Sequence, residues 1–523
     1  MTPSSYEITQ YGAVGDGVAA DSDAINRAIE AAAKSGGGTV RVPAGTYRCF
    51  SIRLKSKVTL LLEAGSTILA AEPVPGHPSG GYDEAEPNDW GDVHRYQDFG
   101  HSHWHNSLIW GEDLEDVSIV GPGRIDGKGL ARGLVPRPAC GNKAIALKRC
   151  RNVLLRDFSV LMGGHFALLA TGVDNLTIDH VKVDTNRDGL DIDCCRNVRV
   201  SNCSINTPND DAIVLKTSYA LGELRATENV TITNCQVSGY DVGTFLDGTF
   251  KRHDWKAPDG DGPTGRIKLG TESNGPFRNI AISNCVFERS RGIAIESVDG
   301  AEIEDIAINN IAMRDVTNAP IFLRLGNRAR GPEGTRVGWI RRVNISHIVA
   351  SGVDPRYPIL LVGMPEHRIE QVRLSDIAIV SQGGVKMSEV AEQPKTRVNP
   401  FFLRGGEPGV TGPREPFAVP ERPKAYPEPS MFGLLPSSAM YARHVHDLLV
   451  NDLRVDLKEA DERPRIVLEH AQGAQFRHVD LRGDGGKDLF VLKQVSDLSV
   501  KDCRGIPDTS RSEVKEERLA GER

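Results

Sequence analysis

The chain has 523 residues, a formal net charge of −7, 39% hydrophobic and 25% charged residues. No apolar run approaches the roughly 20 residues that a membrane-spanning helix needs. The basic residues are scattered, which argues against nucleic acid and membrane as partners. Fifty-four glycines and thirty prolines fit a turn-rich β protein.

Tyr6 to Tyr11 reads as a first strand running into the glycine-rich turn Tyr11-Gly12-Ala13-Val14-Gly15-Asp16-Gly17. Asp21 to Ala33 reads as an amphipathic helix with an aspartate cap and Gly36-Gly37-Gly38 beyond its end. Such a helix suits the open end of a solenoid, where core and strand edges are otherwise bare. No Gly-Lys-Ser/Thr follows the glycines, which speaks against a phosphate loop. Met1 to Tyr6 lacks a basic-then-apolar signal region. The expectation is a cytoplasmic protein, or a secreted or periplasmic one whose leader was removed.

Strands are expected at Thr39 to Val42, Val58 to Glu63 and Ser66 to Leu69. The segment 72–106, rich in Pro, Gly, His and Trp, breaks the rhythm. His101, His103 and His105 would chelate a metal only if all three faced one side of a strand. The favoured expectation is a polar surface loop edging a cleft, with Trp104 as a sugar-stacking platform.

From Leu108 a repeat becomes explicit. A nine-residue pattern opens at Asn152, Asn175, Asn197, Asn229, Asn279, Asp305, Arg342, Gln371, Asp447, Gln475 and Asp497. Apolar residues stand at its second, fourth and seventh positions, usually with Asn, Asp or His at the sixth. Alternation of this kind means strands with one face inward. Several gaps are one turn of about 22–29 residues, and the others carry insertions. Parallel strands so wound make an all-β chain, a right-handed parallel β-helix with an N-terminal capping helix. One β-helix domain is expected over 1–505, interrupted at about 72–106, 239–264 and 383–439. The charged tail 506–523 is expected to be frayed or helical.

The nine cysteines show no zinc spacing. Cys203, Cys235, Cys285 and Cys503 share the inward place of the repeat and read as small core groups. The adjacent Cys194 and Cys195 cannot easily point the same way in a strand. Of the insertions, 239–264, with Phe245, Phe250, Lys251, Arg252, His253 and Trp255, should wall one side of a cleft. Arg324 and Arg328 are basic groups able to reach a substrate, and 383–439 should pack across the barrel as a long loop.

The most telling stretch is Asp188-Gly189-Leu190-Asp191-Ile192-Asp193, read with Asn209-Asp210-Asp211 one repeat later. Equivalent positions on successive turns stand roughly 4.8 Å apart. Carboxylates remote in sequence should therefore stack into one acidic cluster. Like charges so close push at least one pKa upward, an arrangement kept where it serves chemistry.

These residues resemble a known family. Tyr11-Gly12-Ala13-Val14-Gly15-Asp16-Gly17, Gly36-Gly37-Gly38-Thr39-Val40-Arg41-Val42-Pro43-Ala44-Gly45-Thr46-Tyr47 and Gly121-Pro122-Gly123-Arg124-Ile125-Asp126-Gly127 resemble glycoside hydrolase family 28, the polygalacturonase-like pectin hydrolases. The likeness runs from about Tyr6 to about Val380. Asn186-Arg187-Asp188-Gly189 is similar to the family's Asn-Thr-Asp-Gly, and Asp210-Asp211 to its Asp-Asp. The family is inverting, so the resemblance implies Asp210 as general acid and Asp188 with Asp211 as the pair that activates water. Two places depart. Thr264-Gly265-Arg266 stands for the family's Gly-His-Gly, and Ala294-Ile295-Glu296 for its Arg-Ile-Lys. A literal Arg266-Ile267-Lys268 lies about one turn early. The departures point to a divergent branch.

Crowding by two carboxylates should raise the pKa of Asp210, as an acid catalyst requires. Asn186, His165, Lys216, Lys268, Glu272, Arg291 and Glu296 are candidate substrate-binding residues, with Trp104 and Arg324. For His165 a structural role is nearly as well supported. Glu272 and Glu296 should be close neighbours, forming with Lys268 and Arg291 a salt-bridged floor or a sugar contact. An acidic floor favours hydroxyl-rich neutral sugars over a galacturonate. Large flanking insertions suggest an exo-acting pocket. The expected partner is an oligo- or polysaccharide, with no cofactor and no metal. The alternatives are a calcium-dependent polysaccharide lyase, in which three oxygens on adjacent turns hold Ca²⁺, and a non-catalytic glycan binder.

Overall fold

The computed structural model describes residues 5–86, 95–131, 140–253, 256–399, 401 and 412–521. The chain divides into two compact units, residues 1–254 and 255–523. Both are built from rungs of parallel strands, the architecture of a parallel β-helix.

In the first unit each rung has three short strands, and strands of successive rungs pair in parallel. Phe166–Thr171, Asp188–Asp193 and Ile213–Thr217 stack in one column. Asp174–Asp179, Arg196–Ser201 and Thr227–Thr233 stack in the second. Lys182–Asp184, Ser204–Asn206 and Gln236–Ser238 stack in the third. Inward side chains such as Leu190, Ile192, Val198, Val200 and Ile205 are buried and form the core.

The nine-residue pattern holds a corner that alternation alone does not reveal. Asn152, Asn175, Asn197 and Asn229 open it with φ near +56°, and Asp157, His180, Asn202 and Asn234 turn the chain again at its sixth place. Asn, Asp and His tolerate the left-handed region best among residues with a Cβ. The pattern therefore spans two strands about a bend, as in Arg151–Arg156 and Ser159–Leu161. The corner asparagines also form a ladder, Asn175 donating to Asn152 at 2.9 Å and Asn229 to Asn197 at 3.1 Å.

Three local expectations need correction. The first strand is only Ser5–Glu7, followed by a 3-10 turn, Ile8–Tyr11. The helix Ser22–Lys34 begins after Asp21, but that carboxylate makes no capping bond. It accepts instead from the Val14 and Gly15 amides at 2.7 and 3.2 Å, tying down the glycine-rich turn. The charged tail is neither frayed nor helical over Thr509–Ala520, which forms a strand antiparallel to Asp488–Lys501. Its Arg511–Glu517 pair, Nη2 to Oε1 at 2.7 Å, shows how the charges are absorbed.

All nine cysteines are buried and free. Cys194 sits at a left-handed corner, φ +55°, so its thiol and that of Cys195 reach different carbonyls, Ser218 and Ala170. Among the described residues no helix is long and apolar enough to cross a membrane.

In the second unit, the described part of 383–439 is a built element with its own short helix, Met387–Glu392. Phe417, Val419, Met431, Phe432 and Leu435 pack against Phe322, Leu360, Val362, Tyr441 and Val467 in one apolar cluster. Arg324 lies 1% exposed beneath it. Its guanidinium donates to the carbonyls of Glu421 and Arg422 at 3.0 and 3.1 Å, and to Gly363 O at 3.1 Å. The expectation that Arg324 contacts substrate is thus corrected. It staples the insertion down, because a buried guanidinium needs several acceptors and the loop backbone supplies them.

Candidate functional site

The column Phe166–Thr171, Asp188–Asp193, Ile213–Thr217 carries the acidic residues. Its register pairs Leu190 with Ile213 and Asp191 with Val214. Extended back, it places Asp211 beside Asp188, and the Gly189 amide bonds to Asp211 O at 3.0 Å. One carboxylate oxygen each from Asp188, Asp210 and Asp211 lie within 4.8 Å of one another. Asp188 and Asp211 are 3% and 1% exposed. Asp210, just outside the strand, has 26% of its side chain exposed. The Asp210 carboxylate accepts from Arg187 Nη2 at 2.8 Å, and the same nitrogen stands 3.9 Å from Asp188.

A fourth carboxylate joins them. Asp191 is fully buried, and neither oxygen has a hydrogen-bond partner. Lys216 Nζ lies 3.4 Å from it and 2.9 Å from His101 Nε2. Burial pushes the Asp188 carboxyl well above the ordinary range, and the Asp210 and Asp191 charges add to this. Burial also raises Asp191, with Lys216 and His101 pulling the other way, to about 6. Burial, more than crowding, is thus what raises the Asp188 and Asp191 carboxyls.

Both carboxyls hold a proton more tightly folded than unfolded. Their contribution to stability is complete below the unfolded value of 3.8, and the Asp191 share is lost as pH rises through about 6. Urea midpoints should therefore fall between about pH 4 and pH 6, and less steeply in Asp191→Asn. Equal slopes in the two proteins would refute this assignment.

The segment 95–107 covers this face. Gly100 lies so close to His165 that a Cβ there would stand 2.5 Å from the ring. His165 is wholly buried, its Nε2 3.7 Å from Asp98. Burial and the Arg187 charge lower its pKa to about 4, so the ring is neutral at neutral pH. Trp104 is 2% exposed and packs with Ala146, Phe166, Leu169 and Ala220. Its indole donates to Thr171 at 3.2 Å, and Lys148 sits over the ring at 4.2 Å. A stacking platform must be open, so the expected sugar contact of Trp104 is corrected to a packing role. The three histidines diverge: His101 meets Lys216, His103 meets Ser102, and His105 pairs with Glu112 at 2.6 Å.

Behind the acids, Asn186 is half-buried and its carbonyl accepts the Asn209 amide at 3.1 Å. Asp184 anchors the insertion that begins near 239. Its carboxylate accepts the amides of Gly243, Phe245 and Leu246 at 2.9–3.0 Å. Trp255 lies outside the described residues.

The remaining candidates belong to the second unit. Lys268 Nζ is 3.9 Å from Glu296, which also accepts from Thr271 Oγ1 at 3.0 Å and stands 4.0 Å from Arg266. Glu272 turns instead to Arg328 and Arg330, at 3.6 and 3.8 Å. Register pairs Lys268 with Ala294 and Leu269 with Ile295. That places Gly270, and not Glu272, beside Glu296. Arg291 is gripped by Asp259 at 2.5 and 2.7 Å and by Glu428 at 3.3 Å. Glu428 comes from the 383–439 insertion, and no periodicity pointed to it.

Sequence reasoning missed Arg187, Asp191, His101 and Glu428 as partners. Arg187 and Asp191 lie inside the stretch that drew attention, whereas His101 and Lys216 are 115 residues apart.

Comparisons with known proteins agree with this architecture. A family model described as "Rhamnogalacturonase A/epimerase, pectate lyase-like" matches residues 5–73, and one described as "Right handed beta helix region" matches 137–252. The β-helix is right-handed accordingly. The chain is 25% identical to a probable polygalacturonase of Vitis vinifera over 409 residues, 72% of this chain and 74% of that one. It is 31% identical to an exo-poly-alpha-D-galacturonosidase of Dickeya chrysanthemi over 176 residues, 34% of this chain and only 28% of that protein. A family 28 exopolygalacturonase structure from Yersinia enterocolitica superposes with a TM-score of 0.56 at 16% identity, covering 98% of this chain and 80% of that one.

Proposed function

We propose that this chain, a divergent relative of the family 28 polygalacturonases, is a glycoside hydrolase that removes residues from the end of a pectin- or rhamnogalacturonan-type glycan with inversion. The observation that carries this reading is the convergence of Asp188, Asp210 and Asp211, with oxygens within 4.8 Å and unequal exposure. Asp210, the accessible one, donates its proton to the glycosidic oxygen. Asp188 and Asp211, buried on neighbouring rungs, hold the attacking water. Burial makes Asp188 a stronger proton acceptor than a free carboxylate, as a general base needs. Arg187 holds Asp210 in the resting site and must release it before the acid can act.

An inverting pair stands about 6.5–9.5 Å apart, to leave room for water between the carboxyls. The present oxygens are closer, so Asp210 swings outward in the productive complex. Its place outside the strand leaves it that freedom. End-wise action is supported by the covering segment 95–107, the insertion anchored by Asp184, and the names of two relatives. In the second unit Arg291, Arg328 and Arg266 are committed to Asp259, Asp299 and Glu428. That supports hydroxyl-rich sugars over a galacturonate at those residues.

The same close oxygens favour two competing readings: retention, for which carboxyls stand about 5–5.5 Å apart, and a calcium site serving a lyase. One experiment separates all three. Pectin and rhamnogalacturonan oligosaccharides are digested, and the product is followed by anomer-resolved NMR with and without chelator. Inversion gives first the opposite anomer, unaffected by chelator. The same anomer, or an unsaturated chelator-sensitive product, would overturn the proposal.

A further inference from the structure

Far along the second unit lies a cleft of about 750 Å³ that the proposed reaction does not use. Four of its lining residues are cationic, Arg465, Arg482, Lys487 and Arg504, and none is acidic. In a chain of net charge −7, such a lining is a local reversal of sign. Five glycines, 483, 485, 486, 505 and 521, supply most of the remaining wall, leaving backbone exposed to an occupant.

The decisive group is Arg465. It is 3% exposed, yet forms no ion pair among the described residues. Nη2 donates to Gly483 O at 2.6 Å and Nη1 to Ser438 Oγ at 3.4 Å, both neutral acceptors. Burial pushes its guanidinium below the ordinary value. The Asp461 and Asp484 charges offset this only in part; a buried cation with no anion in direct contact is costly, and this one lines an open cavity. Gly485 keeps the approach clear, since a Cβ there would stand 2.6 Å from Arg465 Nη2. At the rim, Arg482 and Arg504 share Asp480, at 2.5 and 3.7 Å. Lys487 is exposed and has no ion pair among the described residues.

We propose that this cleft is a second glycan site, holding a carboxylate of an acidic oligosaccharide on Arg465 while Lys487 and Arg504 attract neighbouring carboxylates. The volume suits a short oligosaccharide, and a planar guanidinium matches a carboxylate in two-point geometry. The choice of an acidic sugar rests on the pectic reading above. The site itself rests on the buried arginine and its cradle.

The test is calorimetric titration of the full chain bearing Asp210→Asn, which prevents turnover, with trigalacturonate, neutral galactotriose and inorganic phosphate. Trigalacturonate should bind, and Lys487→Ala with Arg504→Ala should weaken that binding at least tenfold. Gly485→Ala, which fills the cradle, should do the same. Unchanged affinity in both variants, equal binding of galactotriose, or phosphate binding as tight as trigalacturonate would each overturn the proposal. If trigalacturonate binds as described but the unmutated chain hydrolyses no pectic oligosaccharide, the proposed activity fails and this site stands.

Discussion

Asp210→Asn should lower kcat on a pectic oligosaccharide by roughly 10²–10⁴-fold, the contribution of a positioned general acid. KM and the thermal midpoint should stay close to those of the parent chain. The amide keeps an oxygen for the Arg187 Nη2 hydrogen bond, 2.8 Å in the resting site. Asp210 is also the most exposed of the three converging acids, so the substitution disturbs little packing. The transferable proton is lost, together with the carboxylate charge beside Arg187 and one of the two oxygens that accept from Arg187 and the Asp211 amide. Steady-state kinetics and a melting curve on the same preparation decide the matter. A variant that retains most of its turnover would remove Asp210 from the chemistry, whatever the cluster's geometry.

Glu428→Ala should be the most destabilising single change in the second unit, costing about 3–5 kcal/mol. Glu428 is 1% exposed and accepts from Arg266 at 3.0 Å, Arg291 at 3.3 Å and Asn318 Nδ2 at 3.0 Å. Truncation removes the carboxylate 3.0 Å from Arg266, whose contact with Glu296 is longer, at 4.0 Å. Loss of one charge from a buried ion-pair network is what makes the cost large, since the pair's own attraction is offset by desolvation. Glu428→Gln keeps the acceptor and loses the charge, so its cost should be smaller. Urea unfolding of both variants at pH 7 measures the difference. If alanine and glutamine cost the same small amount, the cradle is not an electrostatic lock on the 383–439 insertion.

The two predictions draw on different kinds of information. Asp188, Asp210 and Asp211 could be brought together on paper, because rung length and strand spacing convert sequence offset into height. The same arithmetic aligned Lys268 near the Glu296 rung. It failed wherever a side chain's fate depends on a loop. Trp104 and Arg324 were read as sugar contacts from residue type and position near a cleft. Both are covered, Trp104 by its own segment packing on Phe166 and Leu169, Arg324 by carbonyls of the 383–439 insertion. Glu272 was placed beside Glu296 by counting, but Gly270 holds that place and Glu272 turns to two arginines.

What the amino-acid order alone determined is therefore the periodic part of this protein: parallel rungs, an inward apolar face, Asn and Asp at the turns, and three aspartates on adjoining rungs. Period and alternation are local quantities, and a solenoid simply repeats them. The partners of those aspartates were decided by tertiary structure: Arg187 on Asp210, Lys216 and His101 around Asp191, Glu428 between Arg266 and Arg291. Insertions obey no period, and the charge that meets a buried carboxylate is selected by desolvation in the folded interior, which no spacing along the chain encodes.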